Sequence, residues 1–141
     1  MISKSAKETQ KIAKGLAKKI LNSKKRKDQA FVLALKGDLG SGKTTFLQGF
    51  AKGLGIKEKI LSPTFNIYKR FGNFYHFDCY RIEKPKEILD LGFREIIQDP
   101  QNIMAIEWAE KIKKILPQNT LWINFKFTSQ AKREITVIND L

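Results

Sequence analysis

"AFVLALKGDLGSGKTTF", Ala30 to Phe46, decides the fold because it carries a strand signal, a loop signal and a helix signal in direct succession. Ala30 to Lys36 is short, bounded and apolar on both faces, as an interior strand of a parallel sheet should be. From Lys43 to about Leu54 a helical pattern follows, with Gly53 and Gly55 as its stop. Between them Gly37, Asp38, Leu39, Gly40, Ser41, Gly42, Lys43 and Thr44 match G-x-x-x-x-G-K-S/T without a gap. Glycines let the backbone wrap close to phosphate oxygens with its N–H groups turned inward. Lys43 supplies positive charge to the β- and γ-phosphates, and the Thr44 hydroxyl can coordinate Mg²⁺. Thr45 continues the same binding set into the helix, whose N-terminal dipole favours an anion. The stretch reads as a nucleotide-binding loop.

A phosphate cradle needs acids and a sensor before it can hydrolyse anything. Glu107 ends the apolar strand "IMAIE", where a Walker B acid holds the Mg²⁺ shell or orients water. Asp is the usual residue there, so Glu107 departs from the general pattern. Asp78 closes "FYHFD" and is a candidate second acid near the metal. With no second histidine in the chain, His76 is not read as a metal ligand. "LSPTFNIY" offers Ser62, Pro63 and Thr64 after the helix, in the place of a switch that closes on the γ-phosphate. Ser-Pro-Thr also describes an ordinary turn. No N-K-x-D guanine-reading motif is present, which leaves ATP as the default nucleotide.

Outward from this centre, Ser5 to Glu8 has the S-x-x-E form of a capping box. Thr9, Ile12, Ala13, Leu16 and Ile20 then recur at helical spacing, which predicts a basic helix over about 5–22 with one buried stripe. "FNIYKRF" and "FYHFD" flank Gly72-Asn73 as a hairpin. Pro85 opens a short helix to about Leu91, stopped by Gly92. "NIMAIEW" is a buried strand, followed by a short helix that Pro117 ends. "LWINFKF" and "REITVI" form a closing pair of alternating strands. The expectation is one α/β domain over 1–141, P-loop NTPase-like, with a mixed parallel and antiparallel sheet flanked by helices.

Composition limits the function classes. An apolar fraction of 42% with 11% aromatics belongs to a folded chain. No apolar run approaches membrane-spanning length, and the basic N-terminus lacks the apolar core of a secretory signal. One cysteine, Cys79, makes neither an internal disulfide nor a cysteine metal cluster, which fits a reducing cytoplasm. The formal net charge is +13 and unevenly spread. Residues 1–29 hold ten Lys/Arg against two Asp/Glu, and residues 30–141 hold seventeen against twelve. Such a patch attracts phosphates, on RNA or elsewhere, and is equally the solvated face of a lysine-rich helix.

Together "GDLGSGKTTF", "LSPTFNIY", "YHFDCYRI" and "IEWAE", in that order, resemble the TsaE (formerly YjeE) family of tRNA threonylcarbamoyladenosine biosynthesis. "KETQKIAKGLAKKI" looks like the family's opening helix and "REITVI" like its last strand. The resemblance implies ATP and Mg²⁺. It also implies a slow ATPase, not itself the transferase, that works through the partners TsaB and TsaD. That pair threonylcarbamoylates N6 of adenosine 37 in ANN-decoding tRNAs. Glu107 followed by Trp108 is the family's own usage. By the match, Thr44, Asp78 and Glu107 attend the metal, and Ser62 to Thr64 form the switch. Thr9 and Arg133 fall at positions near the base or ribose. Cys79 stands where the family is commonly apolar and carries no chemistry.

Two rival readings have distinct signatures. A small-molecule or nucleotide kinase would need an acceptor pocket and an arginine-bearing lid, whereas Arg70, Arg81 and Arg94 are scattered singly. An RNA-binding protein with a regulatory nucleotide site is motivated by the basic segment Lys18 to Lys27, and tRNA contact through that face is compatible with the first reading. Aromatics are not interleaved there, which argues against base stacking.

Overall fold

The structure, a computed structural model, describes residues 1–22, 28–37, 42–61, 67–129 and 132–139. Its strands are β1 (Ile2–Ser3), β2 (Phe31–Lys36), β3 (Tyr68–Phe71), β4 (Phe74–Asp78), β5 (Ile103–Glu107), β6 (Leu121–Ser129) and β7 (Lys132–Asn139). Its α-helices are α1 (Ala6–Asn22), α2 (Lys43–Gly53), α3 (Pro85–Leu89) and α4 (Phe93–Gln98), and a 3₁₀ segment spans Ala109–Ile115. The sheet runs β1-β7-β6-β2-β5-β4-β3. The β2–β5 and β5–β4 pairs are parallel, while β3–β4 and β1–β7 are antiparallel, so the sheet is mixed as expected. Two compact units emerge, each assembled from separated segments: 1–24, 37–62 and 124–136 in one, and 25–36, 63–123 and 137–141 in the other.

In the first unit α1 lies against α2. The α1 start follows the capping-box expectation in one half: Ser5 Oγ accepts from the Glu8 N–H at 3.1 Å. The return bond is displaced by one residue, since the Glu8 carboxylate accepts from the Lys4 N–H at 2.6 Å. The buried stripe of α1 is Thr9, Ala13, Ala17 and Ile20. Ile12 and Leu16, expected in that stripe, are only half-buried. Small residues take the contact line because the helices approach closely at Gly49 and Gly53 of α2. A methyl group at Gly49 would fall 2.5 Å from the Gln10 Cα, and one at Gly53 would fall 2.7 Å from the Ala17 Cβ. The α2 stop is a Schellman arrangement around Gly55 at φ +87°. Ile56 N–H donates to the Ala51 carbonyl and Gly55 N–H to that of Lys52, each at 3.0 Å. The ring of Phe46 meets that of Phe125 edge-on at 5.3 Å.

The second unit centres on three parallel strands. Ala30, Val32 and Ala34, Tyr75, Phe77 and Cys79, and Met104 and Ile106 line one face and pack with Ile88, Phe93, Ala109 and Ile112. Leu33, Leu35, Phe74, His76, Ile103, Ala105 and Glu107 occupy the opposite face and are also buried. Burial on both faces explains why β2, β4 and β5 read as near-continuous apolar runs. The hairpin turns at Gly72, φ +61°, as the sequence predicts. The helix expected to run to Leu91 ends earlier, at Leu89. Gly92, with φ +84°, stands at the N-terminus of α4, a helix that the sequence pattern does not mark. β1 is equally unmarked. Its pairing of Ile2 with Glu134 and Ser3 with Arg133 depends on a partner at the far end of the chain.

Candidate functional site

The first unit carries the end of the G-x-x-x-x-G-K-S/T motif. Gly42 is left-handed at φ +100° and caps α2, and its carbonyl accepts the first helical bond from the Phe46 N–H at 2.9 Å. Lys43, the first residue of α2, is only 5% exposed, and its ammonium donates to the Gly37 carbonyl. No acid occupies the first turn of α2, so no carboxylate of that turn offsets the positive helix end, which favours an anion there. Thr44 and Thr45 follow in the same turn, both half-buried. Asp38, Leu39, Gly40 and Ser41 lie outside the described residues, as do Ser62 to Thr64 of the expected switch.

Arg133 and Thr9, far apart in sequence, come together in this unit. A Cβ on Gly42 would lie 3.6 Å from Arg133 Nε, so the arginine side chain crosses over the helix start. The Arg133 guanidinium also stacks on the Phe127 ring at 4.6 Å. Across the β1–β7 ladder Arg133 pairs with Ser3, and the Ser3 and Thr9 hydroxyls are 2.7 Å apart. Both hydroxyls also reach the Ser5 carbonyl, at 2.8 and 3.2 Å. Thr9 is 2% exposed, so its hydroxyl is committed to fastening β1 onto α1. Ser3 escapes sequence reasoning because a two-residue strand has no periodicity to detect.

The second unit carries the acids. Asp78 and Glu107 end β4 and β5 and are directly opposed in register. Asp78 Oδ1 accepts from the Tyr80 N–H at 3.0 Å, which turns the chain as β4 ends. His76 sits two residues before Asp78, hence on the same face. Its Nε2–H donates to Glu107 Oε2 at 2.7 Å, with both side chains buried. Sequence reasoning assigns His76 no role, although the two-residue spacing from Asp78 already puts it on the acid face. Among the described residues no group of three His, Cys, Asp or Glu stands ready to hold a metal.

Directly after Glu107, Trp108 adopts φ 56° and ψ 39°, the left-handed region. It is the only non-glycine residue with positive φ among those described. For a bulky side chain this costs on the order of 1–3 kcal/mol and is a feature of functional sites. The Trp108 ring lies 5.2 Å from that of Tyr80, and Lys111 sits over the Tyr80 ring while donating to the Tyr80 carbonyl. Cys79 is fully buried, and its thiol is pushed up to about 12, chiefly by burial and then by the Asp78 charge. It is a core residue, as the sequence suggests. No helix among the described residues is long and apolar enough to cross a membrane.

Comparison with known proteins adds independent findings. Residues 3–135 match the family model described as threonylcarbamoyl adenosine biosynthesis protein TsaE. A Bacillus subtilis relative, the tRNA threonylcarbamoyladenosine biosynthesis protein TsaE, is 47% identical over 109 residues, spanning 74% of this chain and 67% of its own. The protein of that name from Rickettsia prowazekii is 42% identical over 135 residues, spanning 92% and 87%. The crystal structure of Bacillus subtilis YdiB superposes with a TM-score of 0.77 at 35% identity, covering 97% of this chain and 82% of that one.

Proposed function

This chain belongs to the TsaE family, and from that premise we propose that it serves tRNA threonylcarbamoyladenosine biosynthesis as an ATP-binding, slowly hydrolysing protein that acts through TsaB and TsaD. The observation that carries the ATP reading is the buried Lys43 at the acid-free start of α2, beneath Arg133. A lysine held out of water at a helix N-terminus suits phosphate oxygens, which carry the charge and the lone pairs that such a place favours.

Residue roles follow from this chemistry. Gly37 to Thr45 wrap the phosphates, and Lys43 binds their charge. Arg133 presents a planar cation suited to the base or ribose side of the nucleotide. Thr9 supports it through Ser3. Thr44, Asp78 and Glu107 are hard oxygen donors of the kind Mg²⁺ prefers, and the register-opposed acids fit that ion better than a soft one. When bound, Mg²⁺ offsets charge on the phosphate oxygens. Glu107 orients the attacking water, and Thr64 belongs to the switch that distinguishes ATP from ADP. Hydrolysis resets the partner complex only if the partners bind the two nucleotide states with different free energies.

The test is ATP hydrolysis by the purified chain, alone and with TsaB and TsaD. Strong stimulation by the pair is expected. Intact nucleotide binding with no stimulation would overturn the partner reading. Absence of nucleotide binding would overturn the ATP reading.

A further inference from the structure

The buried His76–Glu107 contact satisfies the acid but not the whole histidine. His76 is 0% exposed, and its Nδ1 is buried with no hydrogen-bond partner. Burying an imidazole with one nitrogen unsatisfied is unfavourable compared with an apolar side chain of similar size. What the histidine gains is a single short bond, Nε2–H to Glu107 Oε2 at 2.7 Å. The register explains why it can reach. His76 pairs with Ala105, two residues before Glu107 on the neighbouring strand, so the two side chains meet diagonally on one sheet face. The left-handed Trp108 turns the chain immediately after Glu107, leaving that carboxylate at the very end of β5.

We infer that His76 is a positioning residue for the hydrolytic reaction: it holds one oxygen of Glu107 so that the other is presented in a fixed direction. The inference rests on the proposed role of Glu107 in hydrolysis. It adds a residue that touches neither nucleotide nor metal and acts through another side chain. Fixing one oxygen by a charge-assisted bond removes the rotation by which a lone carboxylate would sample unproductive orientations.

Two polar replacements separate this from simple packing. The amide nitrogen of glutamine reaches the Nε2 position, whereas that of asparagine reaches only the Nδ1 position. His76→Gln is expected to keep kcat within about threefold, whereas His76→Asn and His76→Leu lower it about tenfold or more. Nucleotide KM and the affinity for ADP without Mg²⁺, read by calorimetry, should stay within about twofold in all three. The melting temperature of the nucleotide-free His76→Gln protein should stay near that of the wild type, while His76→Leu should melt lower because Glu107 keeps a buried carboxylate without its partner. Wild-type kcat in His76→Asn or His76→Leu would overturn the inference, as would equal losses in Gln and Asn variants accompanied by lowered melting temperatures. Glu107→Gln in the same assays keeps the two readings apart. Lost hydrolysis there with an unaffected His76→Asn removes only the positioning role, and undiminished hydrolysis there removes both.

Discussion

Replacing Gly49 by alanine should separate α1 from α2. The added methyl would lie 2.5 Å from the Gln10 Cα and 2.8 Å from its carbonyl carbon, with the Gln10 carbonyl oxygen nearer still. Carbon atoms in ordinary contact stand about 3.5–4.0 Å apart, so the clash requires a shift of roughly 1 Å. These are backbone atoms inside α1 and cannot swing aside as a side-chain tip would. The helices must part along the buried α1 stripe of Thr9, Ala13 and Ala17. Overpacking of this kind costs about 1–3 kcal/mol, and here the upper end applies because no flexible group relieves it. Alanine is favoured over glycine in a helix by about 1 kcal/mol, which leaves a net loss of about 2 kcal/mol. For a chain of this size that lowers the melting temperature by about 8 °C, measurable by circular dichroism. Gly15, in α1 with nothing within 4 Å of the Cβ that alanine would add, is the internal control. Gly15→Ala should stabilise by about 0.5–1 kcal/mol. A Gly49→Ala protein melting at or above the wild type would refute the close approach.

Further predictions concern the loop, the N-terminal fastening and the thiol. Lys43→Ala should weaken ATP binding at least about tenfold in a calorimetric titration, since a charge-assisted phosphate contact is lost. Thr9→Val should destabilise by about 0.5–1.5 kcal/mol in urea unfolding, because the Ser3 hydroxyl loses its bond to Thr9 and keeps only the Ser5 carbonyl. Cys79 should resist alkylation in the native protein and react once the chain is unfolded. Unfolded, the thiol loses its proton near 9.0; folded, it keeps it up to about 12. The folded state therefore holds the proton more tightly, and stability falls as pH rises from 9.0 toward 12. Cys79→Ala should show a smaller fall over that window when unfolding is followed at several pH values.

The local features of this protein are written in local sequence. The strand of Ala30 to Lys36, the loop motif through Lys43 and Thr44, and the hairpin at Gly72 all rest on patterns within a few residues. So do the strand ending at Glu107 and the capping of α1 by Ser5. Each depends on backbone conformations or apolar periods that a short window specifies. The family, too, is legible, because its motifs are short and ordered. Tertiary structure alone decides which apolar residues of α1 are buried. Ala17 displaces Leu16 because glycines on another helix bring the two backbones together, and no periodicity within α1 encodes its neighbour's bulk. It alone makes a strand of Ile2–Ser3, whose hydrogen-bonding partner lies at the other end of the chain. And it alone turns His76 from an idle strand residue into the partner of Glu107, because inter-strand register sets which side chains meet, and register is a property of the assembled sheet.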